Sequence, residues 1–150
     1  MKQVKGRLQM FDWDCGPAAA GTSLELIGHN AASVNMMLAS LPCGERGTSP
    51  CTMEAFVRAV GCKTQSGEMT ISDLGHHTRQ GRPVMALIQS DGEGHWVSVC
   101  HADSRKITYY CPVFGITKTG TRTFGKLWWD WDRRGVSYPG FGIALWREQE

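Results

Sequence analysis

The sequence predicts an α+β fold in which helices come first and an antiparallel sheet follows. Up to Gly81 apolar residues recur at helical spacing, as Met53, Phe56, Val57 and Val60 do, and Gly or Pro ends each run. Beyond that point the apolar residues gather in short runs of strand length, with turn signals such as "DSRK" between them. A chain ordered in this way packs its helices on its sheet.

The first helix opens in "DWDCGPAAAGTSLELIG". Asp14 or Asp12 can cap it, and Pro17 fits the first turn, where its missing N–H would be unpaired anyway. It runs to Ile27 and stops at Gly28. Its side chains are so small along "AAAG" that another backbone can come close, which suits a central buried helix. "AASVNMMLASL" reads as a second helix ended by Pro42, and "CTMEAFVRAVG" as a third ended by Gly61. "TISDLGHHTRQG" reads as a further short helix, capped by Ser72 or Thr70. The strands expected next are "PVMALIQ", a continuous apolar run, the alternating "HWVSVCHA", "KITYYCPV", and "FGIALWR" near the end. "RTFGKLWWDWDRRG", between the last two, reads as a short helix or a loop.

The 150 residues fit one domain, 1–150, and 41% hydrophobic against 20% charged residues is a globular composition. A net charge of +2, with Arg133-Arg134 offset by Asp130 and Asp132, gives no footprint for nucleic acid. No apolar run approaches the roughly 20 residues that span a bilayer. "MKQVKGRLQMF" lacks the apolar stretch of a signal peptide, so a cytoplasmic protein is expected, with most of its six cysteines free thiols. Cys43, Cys51 and Cys62 are spaced poorly for zinc, and the residues call for neither a metal nor a cofactor.

Cys15 stands where a nucleophile would be useful, at a helix start and outside the apolar run. Unpaired N–H groups and the macrodipole favour negative charge there, which lowers a thiol pKa. Five histidines are candidates for the base. His76 and His77 are adjacent on a helix and point apart. His29 ends the helix that Cys15 begins, about 20 Å away at 1.5 Å per residue. His95 begins a strand after "SDGEG" and can reach into a cleft, whereas His101 lies about 20 Å further along the same strand face. His95, at the strand mouth, is the better placed.

Five segments, "QMFDWDCGPAA", "GTSPCTMEAFVRAVG", "ISDLGHHTRQGRPVMALI", "GHWVSVCHAD" and "YYCPVFG", together resemble the bacteriocin-processing, double-glycine leader peptidases. These are papain-like cysteine peptidases often fused to export transporters, and the resemblance runs in order over residues 9 to about 131. It implies the papain-like fold, a peptide or protein substrate cut after Gly-Gly, Cys15 as nucleophile, His95 as base and Gln9 as the oxyanion-hole side chain. A Gln9 amide beside the Cys15 N–H would supply the two donors a tetrahedral oxyanion needs. Where the family carries an acid that orients the histidine, this chain has Cys111 before Pro112. Trp13 and Trp96, with Gly94, are the candidates to bound a substrate groove.

The reading that follows is a cysteine peptidase working through a thioester, with two rivals. One is a peptidase-like module that holds a peptide without turnover, suggested by Cys111 in place of the acid. The other is a different acyl transfer, transpeptidation or deamidation, on the same thioester.

Overall fold

The computed structural model describes residues 1–11, 13–44, 47–90, 92–132 and 134–148. The helices are α1 (Cys15–Leu26), α2 (Ala31–Leu38), α3 (Pro50–Ala59), α4 (Ile71–Arg79) and α5 (Thr121–Leu127). The strands are β1 (Cys62–Glu68), β2 (Val84–Ser90), β3 (Glu93–Ala102), β4 (Lys106–Cys111), β5 (Gly115–Gly120) and β6 (Phe141–Arg147). All six join one antiparallel sheet in the order β1-β6-β2-β3-β4-β5.

Both faces of that sheet are covered. Side chains alternate across a strand, so β2 sends Met85 and Leu87 to one face and Val84, Ala86 and Ile88 to the other. The first face packs on α1, α2 and α3 through Ala19, Leu24, Val34, Met53 and Val57. The second packs on α4 and α5 through Leu74 and Phe124. This is why "PVMALIQ" is apolar throughout: a strand covered on both sides has no polar face. The helices therefore do not all precede the sheet on one side, as their order suggested. β1 lies between helices in the chain and α5 between strands.

Local chemistry sets the helix starts. Asn30, Ser49 and Thr70 each accept a backbone N–H at the head of α2, α3 and α4, and Thr70 and Asp73 satisfy each other's N–H in a capping box. Ser72 lies inside the helix and not at its cap. α1 differs. Asp14 stands at its N-cap without a side-chain cap bond; the carboxylate turns back to accept the N–H groups of Met10 and Phe11 at 3.0 and 2.9 Å. Asp12, the other candidate, lies outside the described residues.

α1 is buried nearly all round and lies across β3. Ser23 and Ser98 join hydroxyls at 2.7 Å between them. What approaches the small residues of α1 is side chain, not backbone: Thr48 at Gly16 and Arg7 at Gly21. The segment before α1 runs back along the helix, with Lys2 N–H donating to Leu26 O and Arg7 N–H to Thr22 Oγ1. Its far end is tied by Gln9 N–H to Pro112 O at 2.8 Å. Gln9, Cys15 and the β4–β5 turn thereby come to one end of the molecule.

Candidate active site

Cys15 is the first residue of α1 and lies at a cleft of about 590 Å³. Leu87 and Trp96 of the sheet, Thr48 to Cys51 at the head of α3, and Asp130, Trp131 and Tyr138 also line it. The thiol is 94% buried by area, at 6% exposure, and this changes its chemistry. Burial pushes the Cys15 pKa up more than the N–H groups of Trp96 and Gly16 pull it down, and the Cys43 and Asp14 charges raise it further. The helix start was expected to lower it; desolvation wins here.

His95 lies near the start of β3, 7% exposed, and burial lowers its pKa. Its Nε2 lies 3.4 Å from Cys111 Sγ, the partner expected at that position. The backbone register does not produce the contact directly: the β3–β4 ladder runs only from Ala102↔Ile107 to Ser98↔Tyr110, with a bulge between Val99 and His101. Side chains beyond the ladder's end close the distance. Among the described residues no hydrogen bond joins Cys15 to His95. The backbone N–H of Trp96, the next residue along, is close enough to the sulfur to pull its pKa down.

The other candidates divide. Trp96 is buried and its Nε1–H donates to Thr48 O at 2.8 Å, so it forms the floor and ties the segment before α3 to the sheet. Gly94 lines the cleft, and a Cβ there would stand 2.7 Å from the carboxylate carbon of Asp130, so a larger residue would push that side chain aside. Trp13 does not line the cleft; its ring stacks on Phe11 with centroids 4.8 Å apart, and its carbonyl accepts from Cys43 Sγ. Gln9 donates through Nε2 to Phe11 O at 2.8 Å, so its amide is turned along the chain.

Sequence reasoning left out the wall contributed by residues 130 to 138. Asp130 and Tyr138 exchange backbone hydrogen bonds at 3.2 and 2.8 Å, which pairs these two residues at the cleft. Gln89 Nε2 donates to Asp130 Oδ1 at 2.8 Å. The signal was present in "WDWD", residues 129 to 132, where tryptophans and acids alternate.

No protein-family model matches the sequence, and no curated protein matches it. Solved structures do share its fold. The peptidase domain of Streptococcus ComA, a bi-functional ABC transporter involved in a quorum sensing pathway, aligns with TM-score 0.74 over 97% of this chain and 100% of its own, at 17% identity. A double glycine motif protease from an AMS/PCAT transporter, solved in complex with the leader peptide, aligns with TM-score 0.69 at 14% identity, covering 97% of this chain and 93% of its own. A periplasmic domain of the EpsAB fusion protein of the Vibrio vulnificus type II secretion system aligns with TM-score 0.53 at 14% identity, over 97% of this chain and 50% of that one. The fold is that of the double-glycine peptidase domains; identities this low speak for the fold alone.

Proposed function

We propose that the protein is a papain-like cysteine peptidase in which Cys15 is the nucleophile and His95 the base. One observation carries the reading: Cys15 opens a helix at the cleft, close enough to the backbone of Trp96, the residue after His95, for that N–H to lower its pKa, while Nε2 of the buried His95 lies 3.4 Å from Cys111 Sγ. With Nε2 so engaged, Nδ1 is the nitrogen left to exchange a proton with the thiol. Both groups favour their neutral forms, Cys15 by a raised pKa and His95 by a lowered one. Proton transfer therefore accompanies attack on the substrate and does not precede it.

In the proposed cycle His95 takes the Cys15 proton as the sulfur bonds to the peptide carbonyl carbon. The oxyanion is met by the Cys15 N–H and by Gln9 once its amide leaves Phe11 O. Collapse breaks the C–N bond, His95 protonates the leaving amine, and water then opens the thioester. The neighbour bound to a leader peptide supports a peptide or protein tail as substrate, with cleavage after Gly-Gly as the specific expectation.

The test is a set of peptides carrying an internal Gly-Gly, incubated with the protein and with Cys15→Ala. Cleavage by the first, none by the second, and an acyl adduct on Cys15 after acid quench are expected. Cleavage that survives Cys15→Ala defeats the proposal. Cys111 in the orienting position favours a second reading, a module that holds the peptide with little turnover; binding equal in both proteins, without cleavage, would establish it. Incorporation of an added amine into the product would mark transpeptidation through the same thioester, and ammonia release from a glutamine side chain would mark deamidation.

A further inference from the structure

Residues Asp130, Trp131, Asp132 and Arg134 bring charges and an exposed ring to the cleft that the proposed chemistry does not use, and Arg134 lies 3.9 Å from Asp132, which leaves Asp130. Asp130 is fixed from three sides: by its paired backbone bonds to Tyr138, by the Gln89 amide at 2.8 Å, and by the bare Cα of Gly94 beneath it. Among the described residues no basic side chain lies within ion-pair distance of it. Asp132 is not equivalent, because it accepts the N–H groups of Arg134 and Val136 in the turn. Next to Asp130, Trp131 lines the cleft with 61% of its surface exposed, and its ring lies against Trp129 with centroids 4.9 Å apart. A large ring left in water at a cleft mouth is surface available to a ligand. A carboxylate beside an open indole face suits one class of group, a cation with an aliphatic stem.

We infer that Asp130 and Trp131 form a subsite for a lysine or arginine side chain of the substrate, in the cleft that Cys15 lines. The inference rests on the peptidase reading for the word substrate, but its charge preference can be measured without turnover. Burial raises the Asp130 pKa more than the Trp131 N–H and Gln89 lower it, as expected of a carboxylate with no cation beside it.

Three methanethiosulfonates of similar size supply the probe: trimethylammonioethyl, sulfonatoethyl and hydroxyethyl. In each reaction the Cys15 thiolate bonds to the reagent's sulfenyl sulfur and methanesulfinate leaves. Rates at Cys15 are read by mass mapping. Asp130→Asn keeps the Gln89 contact, so the ratio of cationic to anionic rates should fall about fivefold with the hydroxyethyl rate unchanged, as expected for one partly screened charge. The same ratio in both proteins overturns the inference. A second measurement needs no reactive thiol. Titration with Gly-Lys-Gly amide should move the Trp131 indole resonance at lower concentration than Gly-norleucine-Gly amide, and Trp131→Ala should weaken lysine-peptide binding; equal effects of the two peptides overturn it. A protein that cuts no peptide yet keeps both preferences defeats the peptidase reading and leaves the subsite standing.

Discussion

At the scale of residues the unusual feature is a thiol as the side-chain partner of a buried histidine. Cys111 is buried and lies 3.4 Å from His95 Nε2. A thiol is a weak hydrogen-bond partner and does not stabilise imidazolium, which leaves burial to set the His95 pKa below its ordinary 6.5. Cys111→Asp should therefore raise the His95 pKa, read from its NMR titration, and preserve or raise any peptide turnover; a folded variant with an unmoved pKa would show that residue 111 does not govern the imidazole. Cys15 leads to a second prediction. A thiol pushed above its ordinary 9.0 has less thiolate at every pH below that value, so alkylation of Cys15 by iodoacetamide should keep rising with pH and show no plateau near neutrality. Near neutral pH the exposed Cys43 and Cys51 should react first. A neutral plateau at Cys15 would instead reveal a preformed thiolate–imidazolium pair. Residue types pointed to Cys15 and His95 because position along an element is readable from sequence. Depth of burial is set by what folds over the site later, and so the direction of the Cys15 shift was not legible.

Elements decide whether those residues meet. The tie between α1 and β3 is the Ser23–Ser98 hydroxyl pair, fully buried at 2.7 Å. Removing one hydroxyl strands the other away from water, so Ser23→Ala should cost about 1 to 3 kcal/mol, whereas the double variant Ser23→Ala/Ser98→Ala should cost less than the sum of the two single ones. Urea unfolding of the four proteins measures the cycle, and strict additivity would show that the pair does not couple helix to strand. Most elements could be read beforehand, since α2, α3, α4 and the strands β2, β3, β4 and β6 carry strong apolar periods or clear stops. Two edge strands could not. β1, "CKTQSGE", buries only Cys62, and β5, "GITKTG", has no fully buried residue. A strand at the edge of a sheet has one side in water and is held by backbone bonding to its neighbour, here β6 and β4, so its own residues carry little pattern. α5 was ambiguous for a related reason: of its seven residues Phe124 alone is buried.

The whole molecule sets a pH window for stability, because its buried ionisable groups share a direction. Burial holds Cys15 and Cys100 above the ordinary thiol value of 9.0 and pushes Cys62 up to about 11. Burial also holds His95 and His77 below the ordinary 6.5. These groups sit in different layers, Cys15 and Cys62 in the core under α1 to α3 and His77 on α4, so the effect belongs to the closed sandwich and not to one patch. On the alkaline side the unfolded chain loses its thiol protons first, the folded state binds more protons, and unfolding becomes easier as pH rises above 9.0 toward about 11. On the acid side the unfolded histidines gain protons first, so stability declines as pH falls below 6.5. Tm should therefore be highest between these limits. Cys62→Ala removes a thiol that burial pushes up to about 11, and should flatten the alkaline limb even if the missing sulfur lowers Tm throughout. Calorimetry at reducing potential across both limbs checks the prediction. A Tm that stays level or climbs between pH 9 and pH 11 would mean that these thiols are hydrated in the folded protein and that burial does not hold their protons.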